Sequence, residues 1–450
     1  MTCFYEQFPS KWWGKLEKAD IIIYGCIILP MNRMGFIKDG VLAIKNGEIT
    51  FVGKRASVTC MQAEIKINAK GKVAMPGLIN CHTHVAMTLF RGIAEDQPLD
   101  VWLNKTIWPL EAKLKSEDIY AGTLLGCLEM IKSGTTCFAD MYFHEEMVAK
   151  AVEQSGLRGA LAEGIIEAGN RALGEKTMRK SVNFAKSFHG YAGGKVTAML
   201  GPHAVYSCSP ELFLKVKEEA SKLGIGIHTH LAESKEMVRE FEKKHGCSEV
   251  EFLDKMGILQ ERVLAAHCIN LSEVDRHILS SRNVNVAYVP VANMKLGLGA
   301  AKIKDLMDSD VNVALGTDGP ASNNTLDMFE TMKFAALLQK LTYMDPTVLS
   351  AYEVLKMATI NGAKALGLTD KIGSLEIGKR ADLILIDFSK PHLKPLHDVF
   401  ASIVYSAHGS DVDTVIVDGK IMMKNRHVKT LDETSIIREA EKAALDLLAR

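Results

Sequence analysis

Between Met75 and Asp318 the chain repeats one pattern, a short apolar run followed by a longer stretch of helical periodicity. The apolar runs are Met75–His84, Thr135–Met141, Arg158–Ile166, Lys195–His203, Gly226–Leu231, Arg262–Cys268, Val284–Pro290 and Val311–Asp318. Val263-Leu264-Ala265-Ala266 has no polar alternation, as befits a strand covered on both faces. Strands that alternate with helices build parallel sheets. Eight such units predict an α/β fold, a (β/α)8 TIM barrel over residues 75–365.

The two ends read differently. Ile21-Ile22-Ile23, Gly40–Ile44 and Glu48–Val52 are short strands split by turn signals such as Lys45-Asn46-Gly47. After about Leu366 strands return, in Gly373–Asp387, Val415–Val417 and Ile421–Met423, with a hairpin signal at Asp418-Gly419. The simplest assembly joins residues 1–74 and 366–450 into a small β-sandwich beside the barrel, with a terminal helix from Glu433 to Arg450.

Composition adds little beyond exclusions. Lys plus Arg equals Asp plus Glu, 54 each, in 450 residues. Zero net charge gives no bulk attraction for nucleic acid or a membrane surface. The apolar run Ile21–Pro30 is too short to span a bilayer and lacks the flanks of a secretory signal. Nine cysteines, Cys3 and Cys60 among them, are widely spaced without Cys-x-x-Cys. That excludes a disulfide framework or a cysteine zinc site, and a reducing cytoplasm is the expected location.

The chemistry sits where a barrel keeps it, at the C-terminal strand ends. Polar residues at those ends are His82, His84, Asp140, Glu163, His203, His230, His267 and Asp318. His82 and His84 share a strand face at i and i+2. Alone, His-x-His also describes two packed histidines. With His230 and Asp318 the pair becomes a three-nitrogen, one-carboxylate set for a divalent transition metal with a position left for water. Strand five offers His228 and His230. His230 lies nearer the strand end and three residues before Glu233, so it is preferred as ligand, with His228 packed deeper. Glu233 can carry a proton or simply complement a helix dipole. His267 can orient a metal-activated water or be a satisfied core histidine. Asp318, in Gly316-Thr317-Asp318-Gly319-Pro320, can also be read as a turn residue.

These residues carry a resemblance. Pro76–His84, Trp108-Pro109-Leu110-Glu111, Gly201–Pro210, His228–Glu233, Ala266-His267-Cys268 and Gly316–Asn324 resemble the amidohydrolase superfamily. Within it the chain is similar to the 5'-methylthioadenosine/S-adenosylhomocysteine deaminases over nearly its whole length. The resemblance implies one divalent ion, zinc first, with iron(II) or manganese as alternatives. Its ligands are then His82, His84, His230 and Asp318. It implies proton chemistry at Glu233, His267 and Asp318. Substrate contacts are implied at Glu111, His203, Glu233 and Ser322. Glu111, by itself an ordinary helix glutamate, is implied to accept the ribose hydroxyls, as a carboxylate can. The family's arginine after strand three has no clean match here. Arg171 and Arg179 are both candidates, and Arg171 is taken as the expectation.

The expected reaction is hydrolytic deamination of 5'-modified adenosines. A metal-activated water adds at adenine C6, His267 and Asp318 handle its proton, Glu233 protonates N1, and ammonia leaves. The partner expected is a small nucleoside, and the chain is expected to form a homo-oligomer. The alternative is another amidohydrolase on the same scaffold, a guanine or aminopurine deaminase or an aminotriazine chlorohydrolase. A metal-free barrel with a structural role would show broken ligand positions, and all four are intact.

Overall fold

A computed structural model describes residues 18–57, 62–259 and 262–450. The expected N-terminal segment before Lys18, with Cys3, lies outside the described residues, as does Cys60. The first five strands are β1 (Ala19–Ile28), β2 (Ile37–Lys45), β3 (Glu48–Lys54), β4 (Ala63–Asn68) and β5 (Lys72–Pro76). Then come β6 (Leu78–Thr83), β7 (Thr135–Tyr142), β8 (Arg158–Ile165), β9 (Val196–Pro202), β10 (Gly226–Leu231), β11 (Val263–His267), β12 (Asn285–Tyr288) and β13 (Asn312–Leu315). The last four are β14 (Leu383–Asp387), β15 (Val412–Val417), β16 (Lys420–Lys424) and β17 (His427–Val428).

β6 to β13 pair in parallel, in chain order, as an eight-stranded barrel. Alternation along each strand sorts its residues. Ile79, Cys81, Cys137, Ala139, Ala160, Ala162, Leu264, Ala287 and Ala314 fill the interior. Leu78, Phe138, Leu161, Leu200, Val263, Val286 and Val313 pack under the helices instead. Burying one such aliphatic side chain contributes about 1.5–3 kcal/mol. The helix Ile360–Ala365 seals the N-terminal end of the barrel, where Gly362 lies against Ile79 and its carbonyl faces the Cys81 thiol.

The ring is closed where β6 meets the loop after β13. Asp318 N–H donates to the His82 carbonyl (2.9 Å). The Asn80 amide donates to Thr317 Oγ1 (2.7 Å) and accepts from Thr317 N–H (3.0 Å). Gly316 makes this approach possible, since a Cβ there would stand 2.8 Å from the His82 nitrogen.

Both chain ends form one further sheet, in the order β17-β16-β15-β14-β5-β1-β2-β3, with β4 on β1. Ile21, Ile23, Leu42, Ile44, Leu383, Leu385 and Ile416 enclose its core. Its two hairpins follow their turn residues. Asn46-Gly47 and Asp418-Gly419 all have positive φ, as a type I′ turn requires. The apolar run Met75–His84 divides between the sheets. Met75 and Pro76 pair with β14 and Leu78 opens the barrel. Gly77 is the joint, because a side chain there would run into Thr136. Arg158, at the start of β8, bridges the two sheets through Asp382 (2.5 Å) and Asp418 (2.8 Å).

Cys26, Cys81, Cys127, Cys137, Cys208, Cys247 and Cys268 are free thiols. Among the described residues, no helix is long and apolar enough to cross a membrane.

Candidate metal centre and substrate cavity

At the C-terminal end of the barrel, each histidine is fixed by its own hydrogen-bond partner. His84 Nδ1–H donates to the Met141 carbonyl (2.6 Å) and His230 Nδ1–H to the His203 carbonyl (2.9 Å). His267 Nδ1–H donates to Asn293 Oδ1 (3.0 Å). A carbonyl oxygen cannot donate, so each ring carries its proton on Nδ1 and has Nε2 available for coordination or proton exchange. His82 Nδ1 meets His228 Nε2 at 2.8 Å, which puts His228 behind His82 rather than beside it.

His82 Nε2 is fully buried and has no hydrogen-bond partner. Buried imidazole nitrogens without a partner are costly, and each needs an explanation. Here the neighbours supply one. Asp318 Oδ1 lies 3.6 Å from His82 Nε2 and 3.4 Å from His84 Nε2. Two overlapping groups share His82, namely His82 with His84 and Asp318, and His82 with His230 and His267. Within each group the possible ligand atoms lie within 4.8 Å of one another. Nitrogen lone pairs and one carboxylate converging around a buried, unpartnered nitrogen fit a divalent metal. Burial holds the pKa values of His82 and His230 well below the usual imidazole range, and the neighbouring histidines push the same way. Neutral imidazole is the form that binds metal.

Several of these residues leave strand geometry where they enter the site. Ala232, His267, Cys268 and Asp318 all have φ between 50° and 72°. Such conformations cost of order 1–3 kcal/mol each in a non-glycine residue. They are held by the Cys268 N–H on the Leu231 carbonyl (2.9 Å) and the Asp318 N–H on His82. The expected strand Arg262–Cys268 ends at His267, where φ turns positive, and Val311–Asp318 ends at Leu315.

Glu233 stands 3.6 Å from His267 Nε2. Burial raises its carboxyl pKa above the ordinary range, and His267 only partly offsets this. His203 is neutral, its pKa lowered to about 3 by burial and by His84 and His267. Its Nδ1 pairs with Ser207 Oγ (2.8 Å).

Above this floor lies a cavity of about 710 Å³, mouth included. One wall is the helical stretch Leu99–Glu111, which contains a wide π-helical segment at Trp102–Ile107. Leu99, Trp102, Leu103, Ile107, Trp108 and Glu111 all face the cavity from it. Burial pushes the Glu111 carboxyl up to about 7, against a hydrogen bond from Tyr142. Ser322 also lines the cavity, its hydroxyl donating to the Gly319 carbonyl (3.0 Å).

The expected residues do not all converge. His84, Glu111, His203, His230, Glu233, His267, Asp318 and Ser322 line one cavity, with His82 beneath them. Arg171 opens the helix Arg171–Phe188 as an exposed residue, behind the Asn170 cap, and is not among the residues that line the cavity. Arg179, further along the same helix, is exposed as well. Asp140 and Glu163, noted at strand ends, serve the backbone. Asp140 accepts from Val85 N–H (2.7 Å), and Glu163 accepts from His144 and Glu145 N–H (3.3 and 2.8 Å). Two residues were missed. Tyr142 sits one position past the expected end of its strand, and Asn293 lies in a helix with no sequence signal for a role.

The Amidohydrolase family model matches residues 73–422. The chain belongs to the amidohydrolase family. This amidohydrolase is 50% identical over 433 residues to a 5'-deoxyadenosine deaminase of Methanosarcina acetivorans, covering 96% of this chain and 99% of the relative. It is 49% identical over 434 residues to a 5-methylthioadenosine/S-adenosylhomocysteine deaminase of Pelotomaculum thermopropionicum, covering 96% and 100%. Among solved structures it is similar to a zinc-bound adenosine deaminase from Xanthomonas campestris. The TM-score is 0.91 at 32% identity, over 96% of this chain and all of the other.

Proposed function

We propose that this amidohydrolase is a metal-dependent hydrolytic deaminase of 5'-modified adenosines. It converts 5'-methylthioadenosine, S-adenosylhomocysteine, 5'-deoxyadenosine and adenosine to their inosine analogues and ammonia. The observation that carries the reading is the pairing of two features in one cavity. A metal-fitting floor with a proton-carrying Glu233 faces a wall bearing a half-buried carboxylate, Glu111, among aromatic and aliphatic side chains. The relatives at about half identity are named for nucleosides of this type.

His82, His84, His230 and Asp318 would hold one ion per chain, which we read as zinc. When bound, such an ion supplies a water acidic enough to provide hydroxide near neutral pH. The remaining work falls to the chain. His267, with its Nδ1–H on Asn293, offers Nε2 to the proton that this water releases. Asp318 shares that task from its place beside His82 and His84. Glu233, with its raised pKa, delivers a proton to adenine N1 and thereby makes C6 electrophilic. A second proton reaches the exocyclic nitrogen, and ammonia departs. His203 and Ser322 contact the nucleoside, and Glu111 takes the ribose hydroxyls. A free base or a triazine has no diol for Glu111 to bind, so the observed wall favours a nucleoside.

The deciding experiment is ammonia release from 5'-methylthioadenosine, S-adenosylhomocysteine, 5'-deoxyadenosine and adenosine, run beside guanine and an aminotriazine. Turnover of the nucleosides is expected. Equal or faster turnover of guanine or the triazine would replace this reading with the alternative one.

A further inference from the structure

We propose that Tyr142 is a positioning residue that sets how strictly the enzyme reads the sugar, by fixing one oxygen of Glu111 and leaving the other for the substrate. The inference rests on Glu111 being the ribose-binding group.

Tyr142 ends β7 and is 5% exposed. Its hydroxyl donates to Glu111 Oε1 at 2.7 Å. No described residue bonds Glu111 Oε2, and Glu111 lines the cavity. A glutamate on a helix has three rotatable side-chain bonds, and one bonded oxygen removes most of that freedom. The donor is itself held. Tyr142 N–H donates to Glu145 Oε1 (2.9 Å), and the ring lies 5.1 Å from Phe143 and 6.0 Å from His84, centroid to centroid. Burial keeps the phenol protonated and so a donor. The preceding carbonyl, that of Met141, is the one that orients His84. One dipeptide therefore ties the metal corner to the sugar corner, by its backbone on one side and its side chain on the other. A glutamate so oriented meets a diol in one geometry, which is a condition for discriminating it from a single hydroxyl.

The test compares adenosine with 2'-deoxyadenosine in wild type, Tyr142→Phe, Glu111→Gln and the double variant, with zinc content and Tm recorded for each. Tyr142→Phe should raise KM for adenosine about tenfold while kcat stays within about threefold. It should shrink the ribo-over-deoxy preference in kcat/KM by the same factor. In the Glu111→Gln background the second substitution should add nothing, the signature of two residues acting as one unit. Additive effects, or an unchanged preference in Tyr142→Phe while Glu111→Gln loses it, would overturn the role of Tyr142 alone. A full preference retained in Glu111→Gln would overturn instead the sugar-binding reading beneath it. Zinc-poor or unfolded Tyr142→Phe protein would assign the hydroxyl to the fold and reject the proposal.

Discussion

The floor and the wall of the cavity are built by opposite means. On the floor each histidine is turned by an acceptor outside the group, two of them backbone carbonyls, and Asp318 is pinned by its own N–H and carbonyl. On the wall, Glu111 is carried by a helical segment and held by one side-chain bond from Tyr142. A floor held largely by backbone tolerates few changes, because moving a donor means moving the barrel. A wall held by one hydroxyl can be retuned by a single substitution. Under the proposed function the floor governs reactivity and the wall selectivity, which says which mutations should strike which.

The largest effect should come from the floor. His82→Ala removes the donor shared by both ligand groups. Zinc content and turnover should fall together, the latter by more than about 10⁴-fold, beyond the upper end for one acid–base group. Metal analysis beside an ammonia assay reads both, and retention of either would put the centre elsewhere. Glu233→Gln should be smaller and cleaner. It keeps the shape but cannot exchange the proton, so kcat should drop about 10²–10⁴-fold with zinc retained. Near-normal kcat would return Glu233 to a helix-dipole role.

The smallest effect belongs to the wall and appears as a pH dependence. Glu111 has its pKa raised to about 7 by burial. A carboxyl with a raised pKa is ionised above that value and protonated below it. Binding of a ribonucleoside through the carboxylate should therefore weaken as pH falls through about 7, with KM rising up to about tenfold per unit below it. Inhibition by a ribonucleoside product, followed from pH 8 to pH 6, isolates binding from chemistry. A KM that stays flat for ribonucleosides over that range, or rises equally for 2'-deoxy analogues, would erase the distinction between floor and wall.

Much of this was legible in the residues. The strand–helix alternation yields the barrel because parallel strands covered on both faces leave unbroken apolar runs such as Val263–Ala266. Asn46-Gly47 and Asp418-Gly419 betray their hairpins because few other pairs accept two positive φ angles. Same-face spacing exposes His82 and His84. The rest depends on three dimensions. The break at Gly77 needs Thr136, a neighbour 59 residues away in the chain by number, to be seen. The strand end at His267 coincides with a left-handed turn that no periodicity records. Arg171 stands exposed at a helix start set by the Asn170 cap, a placement that its charge does not announce. Tyr142 was invisible because its partner lies on a helix, and neither residue alone carries a motif.

The joint between β6 and the loop after β13 is also where the barrel's two ends find each other. Asp318 joins the ring there with its backbone and reaches the histidines with its side chain. The centre is thus a buckle as much as a workbench. Its donors, 236 positions apart in the case of His82 and Asp318, meet when the first and last strands of the barrel meet. A ligand that grips the fastened form and not the loose chain resists unfastening by mass action. Under the proposed function, the residues that would hold the metal and the clasp that holds the ring shut occupy the same few ångströms, so removing one should loosen the other.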